Sequence, residues 1–203
     1  MAYGLEPIRQ ANGGTIRNNN FVDGNGYRIA ATAPTAYFEG DTVSLSSGLL
    51  VQDIGSGDLD AIVGVFWGAE YADNSSGDVK FVRSIAVSTV AKAQFKAYVY
   101  DDPYTIFKMQ ADQAGTALTS ADVGAVAQNL TGSGSTVTFK AGSSLDSSTA
   151  SNTQNATQQN YPFQILGSAE TDLSYSALGT TMDVLVKINT HSWGRYDGNF
   201  PTA

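Results

Sequence analysis

The chain has 203 residues, a formal net charge of −8, and only 15% charged against 42% hydrophobic residues. A chain of this length folds as one domain with a sizeable core. Its charged fraction lies well under the roughly 25% of an ordinary soluble domain, so Ser, Thr, Asn, Gln and Gly must build the polar surface. Scattered basic residues exclude the clustered cations that nucleic acid or an anionic membrane surface requires. The lack of cysteine excludes disulfide, thiolate and Cys-type metal chemistry.

The opening MAYGLEPIRQANGG has no basic segment followed by an apolar run, so the expectation is synthesis in the cytoplasm without a signal peptide. Residues 1–26 hold five glycines, three consecutive asparagines and few large apolar groups. Such a segment cannot bury enough surface to fold alone and is predicted to be an extended N-terminal arm, ordered only by docking. Residues 27–203 then form a single β-rich domain.

Period-two alternation dominates that domain. Residues 42–46 place Val43 and Leu45 on one face. Residues 61–67 are apolar on both faces and predict a central or bulged strand, while the whole apolar stretch is too short to span a bilayer. Residues 78–85 direct Val79, Phe81 and Ile85 inward. A short helix is expected near residues 88–95. Residues 95–101 and 104–110 predict two strands joined at Asp101-Asp102-Pro103, with Phe107 and Met109 in the core. Thr119 with Asp122 predicts one short helix up to residue 129, weakened by Gly124. Residues 136–140 alternate as a strand. Residues 142–160 form a long polar loop with Leu145 as its one large apolar anchor. Residues 182–188 put Met182, Val184, Val186 and Ile188 on one face. The expected class is all-β, mainly antiparallel, barrel- or sandwich-like, with one or two short helices.

Candidate chemistry is sparse. The one histidine, His191, follows a strand and precedes Ser192, and no G-x-S-x-G elbow exists, so His191 reads as a structural or surface residue. One His cannot assemble a histidine metal site. Asp23-Gly24-Asn25-Gly26, and Asp58 with Asp60, do not complete a calcium loop and read as turns. Glu70, Asp101, Asp102 and Glu170 could supply paired carboxylates only in the sense that any acidic chain does. Gly132-Ser133-Gly134 lacks the Gly-Lys-Ser/Thr of a phosphate loop. The sequons at Asn74, Asn129 and Asn155 read as accidents of composition. The expectation is a non-enzyme with no catalytic, cofactor-binding or metal-binding residues, whose ten tyrosines serve subunit contacts.

Several segments carry a resemblance. Gly4-Leu5-Glu6-Pro7-Ile8-Arg9 with Asn12-Gly13 resembles the opening of small virion proteins encoded beside the major capsid protein of many tailed phages. Gly40-Asp41-Thr42-Val43, Val63-Gly64-Val65 through Gly68, and Ala97-Tyr98-Val99-Tyr100-Asp101-Asp102-Pro103 through Phe107 are similar to successive family segments, the last as a hairpin. Val123-Gly124, Leu145-Asp146-Ser147-Ser148-Thr149, residues 163–167, and Val184 to His191 continue the series in order. Residues 74–96 and the tail after Trp193 fall outside it. The resemblance implies a capsid cement (decoration) protein, a homotrimer on the outer surface of the major capsid protein shell and hence located in the virion. It implies that Tyr3, Leu5, Pro7, Ile8 and Arg9 anchor the arm to the capsid protein, and that the loop holding Leu145 reaches a neighbour. The alternative is another head or tail component that holds glycan on Tyr and Trp.

Overall fold

The computed structural model describes residues 2–19, 26–29, 36–53, 61–73, 75–85, 95–112, 117–152, 161–169 and 181–194. In chain order its strands are β1 (Glu6–Gln10), β2 (Tyr27–Arg28), β3 (Tyr37–Phe38), β4 (Thr42–Ser46), β5 (Leu49–Gln52), β6 (Ile62–Ala72), β7 (Val79–Val82) and β8 (Ser84–Ile85). The second half adds β9 (Lys96–Tyr100), β10 (Thr105–Ala111), β11 (Val126–Ala127), β12 (Asn129–Leu130), β13 (Ser144–Leu145), β14 (Phe163–Ser168) and β15 (Met182–Ile188). Helical structure among the described residues is confined to two 3-10 turns, Ser120–Asp122 and Ser147–Thr149. The protein is all-β.

One sheet runs β11–β14–β15–β10–β13–β12, with β1 also on β10. Its two end strands are consecutive in the chain, separated only by Gln128, so the sheet curls into a nearly closed barrel. A second sheet runs β2–β9–β6–β4–β5, with β7 on the far part of β6, and β3 pairs β8 separately.

Strand β6 explains how the sheets share the chain. Ile62 and Val65 enter the barrel core with Phe107, Met109, Phe163, Val184 and Val186. Val63 and Phe66 enter the other core with Ile29, Tyr37, Val43, Leu50 and Val99. A strand buried on both faces reads as a continuous apolar run, as residues 61–67 do. The inward face predicted for residues 182–188 is also observed, with Val184, Val186 and Ile188 buried.

Five local expectations fail for identifiable reasons. Strand β7 lies at the sheet edge and turns Val79 outward (70% exposed), with Phe81 half-covered at 44%. Alternation reports that two faces differ, not which one meets a core. Residues 136–140 form a turn in place of a strand: Ser135 Oγ accepts from Val137 N and Thr138 N at 3.3 and 3.2 Å, and Phe139 has φ of 61°. A short hydroxyl side chain there satisfies backbone donors that a strand would need. The helix at 119–129 stops after one turn despite its capping box, because Gly124 at φ 92° turns the chain into β11. Strands β9 and β10 flank Pro103 but join different sheets, so they form a crossover between cores and not a hairpin. Leu45, expected inward beside Val43, lies past a bulge in the β4–β6 register and is exposed. The helix expected at residues 88–95 lies outside the described residues, except for buried Phe95.

The N-terminal segment is also not a free arm along its described part. Glu6–Gln10 pairs antiparallel with Thr105–Lys108, and Leu5 is 2% exposed within the barrel core. Gly4 N donates to Ser143 O at 3.2 Å and Leu5 N to Gly40 O at 3.1 Å. Gly4 has φ of 73°, and a Cβ there would meet Ala141 Cβ at 2.6 Å, so only glycine makes this approach. The segment docks on its own barrel. Leu5 is the reason, since one deeply buried leucine contributes roughly 1.5–3 kcal/mol.

Candidate functional site: an aromatic and charged face

The residues proposed from sequence as contacts divide by burial. Leu5 and Leu145 are core residues; Leu145 sits on β13, pairs with Ala111 and Asn129, and is fully buried. Neither is available to a partner, which corrects the expectation for both. The loop counted from 142 is ordered through its described part by β13 and by Asp146, whose Oδ1 accepts from Ser148 N at 3.0 Å. Its residues 153–160 lie outside the described set. Ile8 and Arg9 are exposed beside the β1 bulge, while Tyr3 and Pro7 are half-buried.

A belt of alternating charge starts at β1. Lys108 Nζ lies 3.3 Å from Glu6 and 3.6 Å from Asp183, and 5.0 Å from the Tyr3 ring centroid. Lys140 Nζ reaches Glu6 at 3.2 Å and Glu39 at 2.8 Å, and Glu39 also faces Arg83 at 3.6 Å. Burial pushes the Glu6 carboxyl up, but Lys140 and Lys108 outweigh it and hold the group below its usual range. Burial lowers Lys140 while Glu39 and Glu6 raise it, and the net shift is upward. Such partly exposed pairs add little stability. Their consequence is positional, because they fix the turn bearing Phe139 beside β3 and the chain after β7.

Next to Arg83 the belt meets an aromatic cluster on the outer face of β6, β7 and β9. Trp67 lies 5.1 Å from Phe81, 6.0 Å from Tyr98 and 6.3 Å from Tyr100, centroid to centroid, all tilted or edge-on. Strand alternation produces this face: Ala97 and Val99 point into one core, and Tyr98 and Tyr100 lie on the opposite face, where Tyr100 also packs against the barrel core. Gly68 makes room for it, since a Cβ there would run into the Phe81 ring. Lys96 Nζ sits 5.3 Å from the Tyr98 ring, and burial followed by the Glu70 hydrogen bond pushes the Tyr98 hydroxyl up to about 12. Val79 and Phe81 on β7, and Val137 (84% exposed) and Phe139 on the turn that Lys140 ties to Glu39, are exposed as well. The sequence signal for it was present in Tyr98 and Tyr100 alternating with Ala97 and Val99; the placement of Phe81 and Phe139 was not readable without the edge and turn assignments.

The histidine region is arranged differently. His191 is 2% exposed, and burial, only partly opposed by Asp102, lowers its pKa to about 4. Its Nδ1 accepts from Trp193 N at 3.1 Å. Ser192 Oγ donates to Ala61 O at 2.8 Å, so serine and imidazole do not form a nucleophile–base pair. Asp102 Oδ2 accepts from Gln10 Nε2 at 2.6 Å and Asp102 Oδ1 from Tyr104 N at 2.8 Å, the turn role read from the sequence. No cluster of three His, Asp or Glu residues among the described residues could hold a metal ion.

Comparison of the chain with protein-family models, with curated proteins and with solved structures gave no match.

Proposed function

We propose that this protein is a virion structural subunit, a capsid cement (decoration) protein that binds the outer surface of the major capsid protein shell as a homotrimer and stabilises it without chemistry of its own. The observation that carries this reading is the aromatic and charged face. Four clustered rings, three further exposed apolar side chains (Val79, Val137 and Phe139) and fixed charges of both signs make a surface suited to burial against protein, where aromatic residues and Arg are enriched. The ordered resemblance from residue 4 to residue 191 supplies the partner. A trimer adds three weak grips through effective concentration, so each face need not be large. Ile8 and Arg9 on β1 give a second, smaller contact at the other end of the belt.

The test is co-sedimentation with shells assembled from the major capsid protein of the same genome. Saturable binding in multiples of three per local threefold axis is expected; absence of binding to mature and immature shells alike would remove the reading. A second reading, a head or tail component that holds glycan, is favoured by the Trp67–Tyr98 edge-on pair, whose ring faces could stack a sugar. Saccharide binding on a glycan array, lost on Trp67→Ala, would select it.

A further inference from the structure

A cleft separate from the docking face lies where the Pro103–Tyr104 turn meets the end of β15. It measures about 320 Å³, and its lining includes Pro103, Ile106, Leu166, Lys187, Ile188 and His191. Volumes from about 300 Å³ upward hold small organic ligands when apolar walls carry a few convergent polar groups. We infer that this cleft binds a small free monocarboxylate with an apolar body.

Three observations converge. The first is the proton on the only histidine of the chain. Because Nδ1 accepts the Trp193 N–H, a neutral ring carries its hydrogen on Nε2. The lowered pKa keeps the ring neutral near pH 7. That Nε2 is buried and has no hydrogen-bond partner among the described residues. Buried donors in native proteins are almost always satisfied, by protein, water or ligand. An acceptor is therefore wanted at this point of the lining.

The second is charge. Lys187 lines the same cleft and has no ion-pair partner among the described residues. Asp102, the carboxylate that acts on His191, accepts hydrogen bonds from Gln10 and from the Tyr104 amide. The cleft thus offers an N–H and an ammonium that no carboxylate among the described residues engages directly. The third is the apolar remainder, Pro103, Ile106, Leu166 and Ile188, which has no use for a hydrated inorganic anion. A carboxylate on a hydrocarbon body satisfies all three features: it accepts, it is charged, and its other end is apolar.

A single histidine makes the test direct. Long-range proton–nitrogen NMR of the full chain reads the imidazole alone, while hexanoate and, separately, hexanamide are titrated in. The unliganded ring should show the Nε2–H tautomer. Hexanoate should shift the Nε2 signal saturably, and hexanamide, which lacks the charge, should bind about tenfold more weakly. Lys187→Met should weaken hexanoate by about tenfold and leave hexanamide unchanged. An Nδ1–H tautomer, no saturable shift with either compound, or equal hexanoate affinity in wild type and Lys187→Met would each overturn the inference. The tautomer is read in wild type, so that arm stands whether or not the variant folds.

Discussion

Asp41 is a buried carboxyl with no ion-pair partner among the described residues. It is 6% exposed between β3 and β4, and its Oδ2 accepts from Phe38 N at 2.8 Å and Gln52 Nε2 at 2.9 Å. Burial raises its pKa from 3.8 to about 7, and those two donors only partly oppose the shift. A carboxyl whose folded pKa is raised contributes its stability below the unfolded value, where both states are protonated. That contribution fades as pH rises from there through the folded value, because the unfolded chain releases the proton first. The shift from 3.8 to about 7 corresponds to about 4 kcal/mol lost across that window. Asp41→Asn keeps an oxygen for the two donors and removes the ionisation. Stability measured by urea unfolding from pH about 4 to about 8, and plotted as variant minus wild type, should therefore rise with pH by up to about 4 kcal/mol. The difference removes other titrations, including His191, whose lowered pKa acts in the opposite sense: its contribution is present above about 6.5 and lost as pH falls toward about 4. Parallel curves for the two proteins would refute the account of Asp41.

Two further predictions concern how the chain is held together. Leu5→Ala should destabilise the protein by about 2–5 kcal/mol in chemical unfolding, and deleting residues 1–10 should cost more, since β1 also covers the edge of β10; unchanged unfolding midpoints would return this segment to the status of a free arm. Tyr27→Phe removes the 2.8 Å donation from Tyr27 Oη to fully buried Asp101 and should cost about 1–3 kcal/mol, read as a lower thermal midpoint.

What the sequence disclosed follows from which physical signal each segment carries. The two-faced run of β6 and the one-faced run of β15 were legible because burial alone dictates their patterns. The 119–122 capping box was legible as a local hydrogen-bond motif, whereas the extent of its helix depended on one glycine conformation. Val79 and Phe81 were assigned to the core because they are apolar, and Val137 and Phe139 to an alternating strand, whereas all four are exposed. Edge position and turn geometry are decided by partners distant in sequence, such as Phe81 opposite Glu70 and Lys140 against Glu39 and Glu6. Leu5 and Leu145 were misassigned in the reverse direction. Leu145 stands alone in a polar stretch and Leu5 in a glycine-rich one, which resembles an anchor for another molecule until the packing places each in the barrel core.

The docking face is the central claim, and occupancy on the capsid shell tests it most directly. Phe81→Ser with Phe139→Ser removes two outward rings without entering either core. With folding verified by circular dichroism, the double variant should lose at least about tenfold in affinity for shells in co-sedimentation, while Ile8→Ser should lose less. Full occupancy by the double variant would contradict the assignment of this face.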